Sequence, residues 1–164
     1  MRNSGLPKPS TVEDDQLGLD DFSFRRWPFY WLTRASGRYL QAMELALKRV
    51  GLDVPRWRVL MVLHEEGCAS VSEIADHAIS KLPTMTKIVQ RMQADGLVML
   101  RARSSDGRVT EVLLTPTGEA AAEQAWQIAD RIFGRAFARM SKAETATLTR
   151  LLMKLASTLA EDLP

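Results

Sequence analysis

Residues 81–98, KLPTMTKIVQRMQADGLV, constrain the fold of this chain more than any other stretch. Leu82, Met85, Ile88/Val89 and Met92 recur every three or four positions, so the spacing predicts a helix with one apolar stripe. Its other face carries Pro83, Thr84, Thr86, Lys87, Gln90 and Arg91, and no carboxylate occurs before Asp95. Asp95-Gly96 predicts the stop, because glycine accepts the left-handed conformation that follows a helix end. A helix of this kind lies on a support by its stripe and leaves a polar, cationic face free. Hydroxyls and amides read base edges, and cations neutralise phosphates. An ordinary amphipathic surface helix has the same stripe, so the flanking residues decide between the two.

Upstream, Ser70-Val71-Ser72-Glu73 is a capping box that opens a short helix to about Ala78, with Ile74, Ala75 and Ala78 inward. Ile79-Ser80 forms a short turn into the next helix, giving a helix-turn-helix arrangement. Downstream, two strand-like runs, 97–103 and 108–115, flank Ser104-Ser105-Asp106-Gly107, a hairpin signal. In the return strand, Val112 and Leu114 make one apolar face, and Glu111 and Leu113 a mixed one. Arg101, Arg103 and Arg108 gather near the tip, so the hairpin reads as a wing with a basic end suited to a minor groove. A solvated hairpin with surface charges is the plainer alternative. The whole chain is only +2, but residues 81–108 hold six basic side chains against two acidic ones, whereas residues 1–21 hold two against five. The expected DNA contacts are Ser80, Pro83, Thr84, Thr86, Lys87, Gln90, Arg91, Arg103, Asp106 and Arg108.

Five further segments frame this unit. Residues 1–24 have no sustained period and read as a flexible N-terminal arm. Pro28 suits the start of a helix that runs to Val50 and stops at Gly51. Its stripe is Leu32, Ala35, Tyr39, Leu40, Met43 and Leu47, and a second band holds Trp27, Tyr30, Trp31, Arg34 and Arg38. That band serves either core or dimer packing, or an aromatic anion held by stacking and guanidinium pairing. A second helix, 55–66, is expected to bury Trp57, Leu60, Met61, Leu63 and His64. The candidate ligand-contacting set is Tyr30, Trp31, Arg34, Arg38, Trp57 and His64. After Thr115-Pro116-Thr117-Gly118-Glu119 come a helix to about Arg139 and, behind the capping box Ser141-Lys142-Ala143-Glu144, a last helix to about Glu161. Their leucine, alanine and phenylalanine stripes need partners outside a small wing domain, and a second copy is the economical one. The expected fold is mainly α with a small β-hairpin wing. It combines a winged helix-turn-helix DNA-binding domain at 55–115 with a helical dimerisation region, 25–54 and 116–164, from both ends of the chain.

Other function classes find little support. The single cysteine, Cys68, permits neither an intrachain disulfide nor a cysteine zinc site, and it fits a reducing, cytoplasmic setting. His64 and His77 lack metal-ligand spacing, and no apolar run approaches a membrane span. No nucleophile–base pair, phosphate-cradling glycine loop or carboxylate pair suggests catalysis, and no cofactor is implied.

TMTKIVQRMQADGLV, the wing-tip Asp106-Gly107-Arg108 and VLLTPTGEA together resemble the MarR family of bacterial transcription regulators, over about residues 28–163. The resemblance falls on Thr84, Thr86 and Lys87, on Gly96, Leu97 and Val98, on Asp106 and Arg108, and on Leu114 and Thr115. It implies a homodimer on a pseudo-palindromic operator in double-stranded DNA. It further implies a pocket between the dimerisation helices and the wing domain, and repression relieved by a small aromatic or carboxylate effector. The sequence departs from the family at Leu100, where an arginine is common, with Arg101 next instead. Two other readings stay open on the sequence: a thiol redox sensor using Cys68, and a winged-helix protein-interaction module that does not touch DNA.

Overall fold

The computed structural model describes residues 22–103 and 109–161. In chain order the elements are α1 (Pro28–Leu47), α2 (Val54–Glu66), β1 (Cys68–Ser70), α3 (Val71–His77), α4 (Leu82–Ala94), β2 (Val98–Ala102), β3 (Thr110–Leu114), α5 (Pro116–Ala136) and α6 (Lys142–Glu161). Among the described residues, no helix is long and apolar enough to cross a membrane. The chain divides into two units between Gly37 and Arg38.

In the first unit the aromatics ahead of and within the start of α1 pack on one another. Phe24 and Tyr30 lie 4.7 Å apart by ring centroid and Tyr30 and Trp31 5.1 Å, while the Trp31 indole N–H donates to the Arg25 carbonyl at 2.8 Å. Arg34 lies over the Tyr30 ring at 5.4 Å.

The second unit holds the hydrophobic core. Met43 and Leu47 of α1, Trp57, Val59, Leu60, Val62 and Leu63 of α2, Ile74 of α3, and Met85, Val89 and Met92 of α4 meet Val98, Val112, Ala122, Ala125 and Ile128 there. The last turn expected of the first helix tightens into a 3₁₀ turn, Lys48–Val50, before Gly51 at φ 74°. Asp53 caps α2 by accepting from the Arg56 N–H at 2.8 Å. Both halves of the capping box opening α3 form: the Ser70 N–H donates to Glu73 at 2.6 Å, and the Glu73 N–H to the Ser70 hydroxyl at 3.2 Å.

The sheet corrects the sequence reading. It has three antiparallel strands in the order β1-β3-β2, with Cys68 opposite Leu113, Ser70 opposite Glu111, and Val98 through Ala102 opposite Leu114 through Thr110. The expected hairpin supplies two strands. Cys68, where no strand was expected, belongs to the third, because the residues before α3 complete the free edge of β3.

Two burial expectations also change. Met61 and His64 of α2 are exposed, while Val59 and Val62 are buried. Leu82 is exposed at the first turn of α4. The stripe of α5 is buried only through Ala122, Ala125 and Ile128, and α6 buries nothing, leaving Leu148, Leu151, Leu152, Met153 and Leu159 exposed.

One junction fixes where β2, β3 and α5 meet. Thr115 caps α5 by accepting from the Gly118 N–H at 3.0 Å, and its hydroxyl donates to the Gly96 carbonyl at 2.6 Å. The Thr115 N–H donates to the Leu97 carbonyl at 3.1 Å. Gly118 lies so close to Leu97 that a Cβ there would run into the same carbonyl oxygen.

Candidate nucleic-acid interface and the cavity between the second and fifth helices

The reading helix expected at residues 81–98 is α4, and Pro83 occupies its first turn, where a missing N–H costs nothing. Met85, Val89 and Met92 anchor one side. On the other, Pro83, Thr84, Lys87, Gln90 and Arg91 are exposed, and Ser80 and Thr86 half-exposed. The Thr86 hydroxyl donates to the Leu82 carbonyl at 2.9 Å, which leaves its oxygen free only to accept. Among the described residues Lys81, Lys87 and Arg91 have no ion-pair partner. After Ala94 the chain closes the helix with Gly96 N–H to Gln93 at 3.0 Å and Leu97 N–H to Met92 at 2.9 Å, around Gly96 at φ 71°.

Two arginines of α2 hold the helix-turn-helix in place. Arg56 reaches Asp95 at the end of α4 at 2.8 Å, and Arg58 donates to the Ala78 carbonyl at the end of α3 at 3.1 Å. Neither was singled out from the sequence, because their partners lie far along the chain. In the turn itself Ile79 takes a positive φ of 48° with its side chain in solvent.

The base of the wing is a second charge cluster. Arg103 Nη2 donates to both Glu73 oxygens, at 3.1 and 2.9 Å, and its Nε to Glu111 at 3.0 Å. Arg101 Nε donates to the other Glu111 oxygen at 2.9 Å, and its Nη2 sits 3.8 Å from Cys68 Sγ. Only 9% of the Glu111 side chain is exposed, although the alternation of β3 gave it a mixed, outward face. Both arginines keep its carboxyl below the usual range, Arg101 foremost. Glu73 is held down to about 2, first by the Ser70 backbone N–H, then by the Ser70 hydroxyl and Arg103. Glu73 and Glu111 were missed as site residues. The Ser70 capping box located Glu73, but only the folded sheet reveals its second partner. Asp106 and Arg108, expected at the wing tip, lie outside the described residues.

A cavity of about 1110 Å³ opens between α2, the end of β3 and α5. Trp57, Leu60, Met61 and His64 line it from α2, and Trp126 from α5. The Trp57 and Trp126 rings lie 6.4 Å apart at 36°. Glu65, Glu119 and Glu123 supply carboxylates to its lining. Of the expected ligand-contacting residues, Trp57 and His64 come together here. Tyr30, Trp31 and Arg34 belong to the first unit, and Arg38 is exposed on α1. Among the described residues no cluster of histidine, cysteine and carboxylate side chains could hold a metal ion.

Comparison with known proteins matches this architecture. The MarR family profile covers residues 52–110. The transcriptional repressor IacR of Pseudomonas putida is 48% identical over 133 residues, 81% of this chain and 80% of that protein. The homoprotocatechuate degradative operon repressor of Escherichia coli is 29% identical, over 76% of this chain and 91% of its own. The crystal structure of a probable transcriptional regulator from Pseudomonas aeruginosa superposes with a TM-score of 0.70 at 28% identity, covering 81% of this chain and 99% of that one. With a winged helix-turn-helix carrying an exposed cationic face, and a relative this similar over most of its length, the chain belongs to the MarR family of DNA-binding transcription regulators, which are not enzymes.

Proposed function

We propose that this chain is a homodimeric repressor that lays α4 in the major groove of a pseudo-palindromic operator and leaves it when a small aromatic effector binds. The observation that carries the reading is the free face of α4: Thr84, Lys87, Gln90 and Arg91 stand exposed, without a carboxylate among them, on a helix that α2 pins from behind. Pro83, Thr84, Thr86, Lys87 and Gln90 face bases, Ser80 and Arg91 face phosphates, and Asp106 and Arg108 serve the wing tip.

Two further features support the dimer and the effector. The apolar residues of α6, with Phe133 and Met140 before it, form a stripe that a single chain leaves in water, and a second copy would cover it. The cavity offers the Trp57 and Trp126 faces to a flat ring. Its three carboxylates favour a ring bearing a hydrogen-bond donor over a bare carboxylate.

The test begins with duplexes selected by the protein from a random-sequence pool. Lys87→Ala and Gln90→Ala should weaken binding to the selected duplex. Lys87→Ala alone should also flatten the dependence of log affinity on log salt, by about 0.9 for each phosphate that is no longer neutralised. Unchanged affinity and slope in both variants, or no sequence enriched by the wild type, would sink the reading.

A further inference from the structure

We propose that Glu73, Arg103 and Glu111 form a bracket that sets the angle of the wing against α3, and that Arg103 is a positioning residue, not a phosphate contact. The proposal rests on the DNA-binding reading of α4.

The bracket sits where the sheet narrows. The sheet has three strands only as far as the pair Ser70–Glu111. Beyond it β2 and β3 continue as a two-stranded ribbon, through Ala102 opposite Thr110 and the Arg103 N–H to the Val109 carbonyl at 2.8 Å. Two-stranded ribbons twist more than wider sheets and are marginal alone. The ribbon therefore needs a second attachment where it leaves β1, and Arg103 stands there. Its Nη2 grips Glu73 in the first turn of α3, and its Nε grips Glu111 on β3.

Donor use leads to the same assignment. Two edges of the Arg103 guanidinium are already held by carboxylates, and Arg101 takes the remaining Glu111 oxygen. Two cations and two anions balance within this cluster, so it offers DNA little net charge. Turning Arg103 to a phosphate would strip a partner from the buried Glu111 carboxylate, leaving a charge poorly compensated. Geometry thus makes the group a strut between the helix-turn-helix and the wing, and the cations of α4, unpaired among the described residues, are left to meet the phosphates.

Charge sign separates the two roles. Removing a carboxylate beside DNA strengthens binding if its only effect is to restrain a phosphate-seeking arginine, and weakens binding if it positions the wing. Glu73→Gln is the informative variant, because glutamine still serves a capping box. On the selected duplex, with each variant confirmed folded by circular dichroism, Glu73→Gln and Arg103→Gln should each bind about ten-fold more weakly, and the double variant scarcely worse than either. Arg103→Lys should fail to rescue, since one ammonium cannot replace the two guanidinium edges. Backbone hydrogen exchange of the DNA-free protein should speed up in β2 and β3 of these variants and stay unchanged in α4. Glu73→Gln binding as tightly as wild type or more tightly, or Arg103→Lys retaining full affinity, would overturn the bracket while leaving the regulator reading intact. A wild type that selects no duplex would instead remove the DNA-binding reading. Hydrogen exchange would then still decide whether the bracket holds the wing, and unchanged exchange in β2 and β3 would overturn it.

Discussion

At Gly118 the fold depends on the absence of a side chain. A Cβ there would meet the Leu97 carbonyl, a backbone atom just ahead of β2 that is held by the Thr115 N–H. Gly118→Ala should therefore cost about 3 kcal/mol, the upper end for an overpacked site, read as a drop in the urea midpoint at unchanged slope. Glu73 carries a pH signature. Its pKa falls from 4.5 to about 2 on folding, so the stability it contributes is fully present above pH 4.5 and is lost as pH drops through 2. Thermal unfolding should show Tm falling over that window, and Glu73→Gln should make the fall shallower. An acid limb of the same steepness in the variant would show that Glu73 does not contribute to it. Single residues were unevenly legible in the sequence. Ser70 and Glu73 announce a cap by their spacing alone, and Gly96 announces a stop. The burial of Glu111 could not be read, because it depends on Arg101 and Arg103 reaching it across the hairpin.

Among the elements, α2 carries two duties on two faces. Val59 and Val62 go to the core, Met61 and His64 line the cavity that α5 closes with Trp126, and Trp57 and Leu60 belong to both. An effector that stacks in this cavity should lose affinity when Trp126→Ala removes one of the two faces, by about ten-fold for a stacking loss in this range. Calorimetric titration with a phenol, an aromatic amine and an aromatic carboxylate checks both the ring requirement and the preference for a donor. Equal heats for wild type and variant would refute the stacking role. The apolar spacing 57, 60, 61, 64 was legible as a helical face, and Trp57 and His64 were in the expected ligand-contacting set, but the spacing alone does not show a cavity wall. A stripe reports which residues leave water and not what fills the space opposite. β1 was not legible, since Cys68-Ala69-Ser70 has no β-branched or aromatic residue. It is a strand only because β3 offers it an open edge. The α3, α4 and hairpin pattern was legible because each piece is specified locally, by a cap, a stripe or a turn.

For the whole molecule, the exposed leucines of α6 are the feature a lone chain does not account for. Leu151→Glu combined with Leu152→Glu should convert a dimer into a monomer in sedimentation. The affinity for the selected duplex should fall by about 100-fold, because two half-sites would no longer be held together. A wild-type protein that sediments as a monomer would refute the dimer. The junction at Thr115 bears on how such an assembly would work. The threonine hydroxyl and N–H hold Gly96 and Leu97, the residues that close α4, while the same side chain caps α5 and Gly118 presses on Leu97. One short side chain, that of Thr115, and the close approach of Gly118 to Leu97 join these backbones. The end of α4 and the start of the cavity wall thus meet at one joint, and a tilt imposed on α5 would reach α4 as leverage.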